Sequence, residues 1–201
     1  MWKTERGAPV RARRQRGIYA VEFSLVAIVF FLMVFGIVEF ARMLYIFNTV
    51  QEVTRVAASA AVHANFRDTA RMQQIREMSV ARHSPGVLPL GAPISDRHVR
   101  IEFLASAPDA SGRNTIRVIP PGQWPTCPMG NRQVCMANPN AGNCIRYVRA
   151  QICEPGITDR CEKARVALLI PLVRFTADVP RASFTLPAES LGYMPNLASC
   201  P

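Results

Sequence analysis

The chain has 201 residues, which is enough for one modest domain beside a membrane anchor. Its formal net charge is +10, but the cations are unevenly placed: Lys3, Arg6, Arg11, Arg13, Arg14 and Arg16 crowd the first 17 residues against a single acid, Glu5. A basic tail of this kind serves either nucleic acid or anionic lipid; here it leads straight into an apolar run, which favours the membrane and argues against nucleic acid.

That run extends from Ile18 to Val38 and contains one charged residue, Glu22, and no proline. At the helical rise of about 1.5 Å per residue it spans roughly 30 Å, the thickness of a bilayer's hydrocarbon core. The basic residues before it, with Arg11, Arg13, Arg14 and Arg16 nearest, predict that the N-terminus stays in the cytoplasm and the C-terminal portion is exported. A cleaved secretory signal does not fit. The apolar stretch is too long, and no small-residue cleavage site followed by polar sequence closes it.

The junction between leader and apolar run reads Arg13-Arg14-Gln15-Arg16-Gly17-Ile18-Tyr19-Ala20-Val21-Glu22-Phe23. A basic leader ends in glycine, the apolar segment starts at once, and an acid occupies the fifth position after the glycine. A carboxylate inside an apolar helix costs about 2.5–3.5 kcal/mol, so Glu22 marks function unless it merely reaches back to the interface. The junction resembles the processing site of type IV prepilins, which implies cleavage at Gly17–Ile18 by a prepilin peptidase on the cytoplasmic side. In that reading the new Ile18 amine supplies the positive partner for Glu22. Glycine supplies an unhindered backbone at the scissile bond, and the arginines hold that bond at the inner leaflet.

The resemblance continues to Ala64. The Gly17…Ala20-Val21-Glu22-Phe23 motif, the Gly36-Ile37-Val38-Glu39-Phe40 step and the alanine-rich helix with Arg55 together resemble the TadE-like family of tight-adherence pilus systems. One departure is Ala27-Ile28-Val29, where the family often carries a proline. The resemblance implies a minor pseudopilin that works with other pilin-like subunits and inner-membrane platform proteins, with no cofactor. Its location would be the bacterial inner membrane, single-pass, with the C-terminal domain periplasmic. The alternative is an uncleaved, single-pass membrane-anchored envelope scaffold or partner-binding protein of the same topology.

Beyond the membrane, Met43, Phe47, Val50, Val53, Ala57, Ala60 and Ala64 continue the helical spacing, which predicts one long helix from about residue 18 to 66. Ala57, Ala58, Ser59, Ala60 and Ala61 form a small-residue patch suited to close packing, either on the chain's own C-terminal domain or on another helix. A second helix is expected over 68–83, with Asp68 as N-cap and Ser84-Pro85-Gly86 as its stop. Strands are expected at 99–104, 115–119, 145–153 and 164–173, with a weaker one at 182–186, and Pro171 limits the fourth. The Pro-, Gly- and Asn-rich stretch 120–144 reads as a long loop. The expected fold is α+β: a long N-terminal transmembrane and stem helix with a small antiparallel sheet. Its divisions are a basic cytoplasmic leader (1–17), a transmembrane helix (18–38), a stem and short second helix (39–83) and a cysteine-containing β-rich domain (84–201).

Cys127, Cys135, Cys144, Cys153, Cys161 and Cys200 all fall in the last third of the chain, without a Cys-x-x-Cys pair. An even count in an exported region predicts disulfides, with the connectivity left open. His63, His83 and His98 have no metal-ligand spacing, and nucleophile elbow, P-loop and dinucleotide fingerprints are missing, so neither a catalytic residue nor a metal site is assigned. Asp109-Ala110-Ser111-Gly112 reads as a turn between strands.

Overall fold

A computed structural model describes residues 16–157, 160–168 and 176–195. They fall into two compact units, one ending at Phe40 and one beginning at Ala41. The first contains the apolar half of helix α1 (Arg16–Ala61), and the rest of the chain forms the second.

In the second unit, the remainder of α1 and the short helix α2 (Thr69–Ser79) precede a four-stranded antiparallel sheet. Its strands are β1 (Val99–Pro108), β2 (Asn114–Val118), β3 (Tyr147–Ile152) and β6 (Ser183–Pro187), in the order β2-β1-β3-β6. A separate pair is made by β4 (Arg165–Ala167) and β5 (Thr176–Asp178). The chain is thus a long apolar helix followed by a small antiparallel sheet domain, an α+β fold.

Period-two alternation builds the sheet: in β3 every second residue (Val148, Ala150, Ile152) is buried, as are Val99, Ile101 and Phe103 in β1. These residues share one core with Ile46, Val50, Val53, Ala57, Ala58 and Ala61 of α1. The small-residue patch is therefore occupied by the chain's own body. Alanine lets a helix backbone approach a sheet closely, at the cost of less apolar area per residue. Phe66, Phe103 and Trp124 supply the bulk instead, meeting edge to face at centroid separations of 5.1–6.2 Å. The indole N–H of Trp124 donates to the Ile119 carbonyl at 2.8 Å.

Several boundaries differ from expectation. Helix α1 ends at Ala61, earlier than 66, and α2 stops at Ser79, where Val80 closes the last turn. Asp68 caps α2 as expected, its carboxylate accepting from the Arg71 backbone N–H at 2.9 Å. Asp109 closes the β1–β2 turn by accepting from the backbone N–H groups of Ser111 and Arg113.

The stretch expected as a loop contains a helix, α3 (Pro128–Ala137). Pro128 sits at its first position, where the missing N–H costs nothing, and the Cys127 sulfur accepts from the Gly130 N–H. Buried Asn131 then fastens α3 to the sheet domain, its side chain exchanging hydrogen bonds with both backbone groups of Ile145. Strand β5 was not expected from the sequence, and the later part of the expected 164–173 strand lies outside the described residues.

Candidate functional site: the N-terminal junction and apolar helix

Helix α1 opens at Arg16, so Gly17 and Ile18 belong to its first turn. The first amides of a helix have no intrahelical acceptor, and glycine weakens a helix by about 1 kcal/mol relative to alanine. Arg11, Arg13 and Arg14 lie outside the described residues.

Glu22 follows Ile18 by four positions, which places both on one face of the helix. It is exposed, among equally exposed apolar neighbours: Tyr19 and Phe23 present 71% and 75% of their surface. Ser24, the next polar residue, turns its hydroxyl back on the helix and donates to the Val21 carbonyl at 2.7 Å. Glu22 is thus the one carboxylate on a surface that runs through Phe30, Phe31 and Phe35 to Val38. Among the described residues this is the one helix long and apolar enough to cross a membrane, with a mean hydropathy of 2.7 and none of its apolar window buried. Such a surface is stable only against lipid or other helices.

Past Phe40 the character of α1 changes within one turn. Arg42 donates from its three guanidinium nitrogens to the carbonyls of Leu90 (3.2 Å), Ala167 (3.2 Å) and Ala92 (2.7 Å), and the Tyr45 hydroxyl donates to Pro89 (3.1 Å). The sequence marks Arg42 only as a charge after the apolar run. Its role in gathering the 89–92 loop and the end of β4 onto the helix has no local signature.

The cysteines form short loops. Cys135 at the end of α3 is bonded to Cys144, and Cys153, just after β3, to Cys161. Cys127 is disulfide-bonded as well, and Cys200 lies outside the described residues. The Cys135–Cys144 and Cys153–Cys161 loops are short, so these two bonds pin local segments and add modestly to global stability.

The histidines do not converge. His63 faces Glu189 at 3.5 Å on the surface, and His98 is buried beside Asp96. Among the described residues no three His, Cys, Asp or Glu side chains come together in a way that could hold a metal ion. The His98 Nδ1 accepts from the Ser95 backbone N–H at 3.1 Å and lies 3.0 Å from its hydroxyl. This arrangement closes a 3-10 turn, with His98 buried and Ser95 half-buried.

An apolar helix that runs on into a sheet-bearing body defines an α+β protein whose helix suits a single-pass membrane anchor. Residues 17–59, from the glycine of the junction to the middle of the alanine patch, match the family model described as TadE-like protein. That segment is TadE-like, and it supports a component associated with a tight-adherence pilus system. No curated protein and no solved structure matches the chain.

Proposed function

We propose that this chain is a minor pseudopilin of a tight-adherence pilus system, processed at Gly17–Ile18 by a prepilin peptidase. The observation that carries the reading is the junction itself. A basic leader, a glycine and, five positions further, a lone carboxylate within the apolar run stand at the point where the TadE-like match begins.

In this reading Arg11, Arg13, Arg14 and Arg16 hold the junction at the cytoplasmic face of the inner membrane, and the first turn unwinds into the peptidase. Cleavage exposes an Ile18 amine next to lipid. The amine and the Glu22 carboxylate of a neighbouring pilin-like subunit then neutralise one another, so that subunits meet in register and neither charge stays unpaired in hydrocarbon. The sheet domain lies in the periplasm, where the cysteine pairs find oxidising conditions. Inner-membrane platform proteins receive the processed subunit.

The test is the N-terminal sequence and intact mass of the protein extracted from envelopes, with and without an active prepilin peptidase. The expected mature chain begins at Ile18 only when the peptidase is active. In that background Glu22→Ala should leave cleavage intact and abolish co-purification with other pilin-like subunits. A chain that keeps residues 1–17 in both strains overturns processing and leaves an uncleaved membrane-anchored scaffold as the function.

A further inference from the structure

The four-stranded sheet turns one face to the core and the other to a groove of about 670 Å³. Strand register places Arg100 opposite Gln151 and Glu102 opposite Arg149 on the groove's floor. Its other side is formed by the segment around the β4–β5 pair, with Arg160, Lys163, Arg165 and Arg181. Among the described residues, six cations line this groove against three carboxylates, Glu102, Glu162 and Asp178.

The carboxylates are already engaged. Glu102 accepts from two nitrogens of Arg149 at 2.9 and 2.5 Å, and Glu162 meets Arg160 at 2.5 Å. Asp178 is shared by Lys163 at 3.7 Å and Arg165 at 4.0 Å, and Arg181 has no carboxylate partner among the described residues. Among the described lining residues positive charge is therefore in excess, with Lys163 and Arg165 sharing one carboxylate and Arg181 lining the same groove. Apart from the part-buried Arg149–Glu102 pair, the ion pairs here are exposed and add little to folding, and clustered cations repel one another. An incoming anion would relieve that repulsion.

The lining also selects among anions. Five of the six cations are arginines, whose planar forks match carboxylates in two-point contact. Glu102 and Glu162 interrupt the basic surface and oppose a ligand with closely spaced phosphates, such as a nucleic-acid strand with a charge about every 3.4 Å. A peptide whose acids alternate with neutral residues avoids that repulsion. Exposed Val118, with Ile116 two positions away on the same face of β2, offers such a peptide an apolar footing. A second copy of the chain is a poor occupant, because its 14 acids are outnumbered by 24 Lys and Arg and no two are adjacent.

We propose that the groove between the outer face of β1 and β3 and the β4–β5 pair is a docking site for an acidic segment of a partner protein. This site is independent of cleavage at Gly17. The test uses the full-length protein in detergent and a fluorescein-labelled peptide of repeating Asp-Ser-Glu-Val units, followed by fluorescence anisotropy at about 0.1 M salt, where exposed charges still interact. Saturable binding is expected, weakened at least about tenfold by the paired reversals Arg165→Glu and Arg181→Glu and unchanged by Arg71→Glu on α2. Arg181→Gln, which removes charge without reversing it, should weaken binding by roughly threefold at an unchanged melting temperature and keeps the test decisive if the double variant misfolds. Three results would each overturn the proposal. They are no saturable binding of the peptide, equal binding by the groove variants (which would place the peptide on the basic leader), and tighter binding of heparin or single-stranded DNA than of the peptide.

Discussion

His98 is the buried titratable side chain with the clearest consequence for behaviour in solution. Its imidazole is removed from water between the 3-10 turn and β1, and this desolvation holds its pKa below the usual value; the nearby carboxylates of Glu154 and Asp96 offset the effect only in part. Because the folded state prefers the neutral ring, the unfolded chain binds the extra proton first. Stability contributed by the neutral His98 is therefore complete above the ordinary imidazole pKa of 6.5 and declines as pH falls below it towards the folded value. Thermal melts between about pH 7 and pH 5 should show a fall in melting temperature, and the part due to this ring should vanish in His98→Gln. An equal slope in the variant would assign the effect to other groups.

Gly192 makes a second prediction at the same scale. Its φ is +77°, and a Cβ placed there would sit 2.6 Å from the Asn65 backbone nitrogen, next to the point where the Leu191 N–H bonds to the Val62 carbonyl at 2.9 Å. Both the backbone conformation and the space require glycine. Gly192→Ala should destabilise the sheet domain by roughly 1–3 kcal/mol in urea unfolding. Gly142→Ala, where an added Cβ meets nothing within 4 Å, is the matched control and should be close to neutral.

Among the elements, α1 has two chemistries in one helix. As far as Phe40 its large apolar residues face outwards, whereas beyond Ala41 its buried apolar positions are Ile46, Val50, Val53, Ala57, Ala58 and Ala61. The change from bulky to small residues along the buried stripe sets how near the helix backbone can lie to the sheet. Ala57→Leu inserts three carbons where the side chain is fully enclosed, and should cost about 1–3 kcal/mol by overpacking. A calorimetric melting temperature several degrees lower, by about 2–8 °C, is the expected readout. An unchanged value would mean that the contact between stem and sheet yields.

For the molecule as a whole, the long apolar helix, the basic leader and the Gly17-to-Glu22 spacing were legible because a bilayer imposes a local rule: length, polarity and flanking charge suffice without knowledge of any long-range contact. The N-cap at Asp68 and the turn at Asp109 were legible for the same reason, since side chain and backbone partner lie within four residues. The strands were recognised through their alternation, but their order was not, because β1 pairs with β3 across the intervening β2 and α3 and only tertiary packing decides that neighbour. Helix α3 was hidden by a Pro- and Gly-rich composition, although Pro128 at the first helical position was the available signal. The disulfide pairs Cys135–Cys144 and Cys153–Cys161, the Arg42 contacts and the basic groove likewise depend on which segments the fold brings together. The sequence by itself determined the apolar helix and the Gly17-to-Glu22 spacing on which the proposed anchor and processing rest, since length, polarity and spacing are local properties of the chain. The tertiary structure alone decided the groove, because its cations come from strands and loops that meet only through the long-range pairing of the sheet.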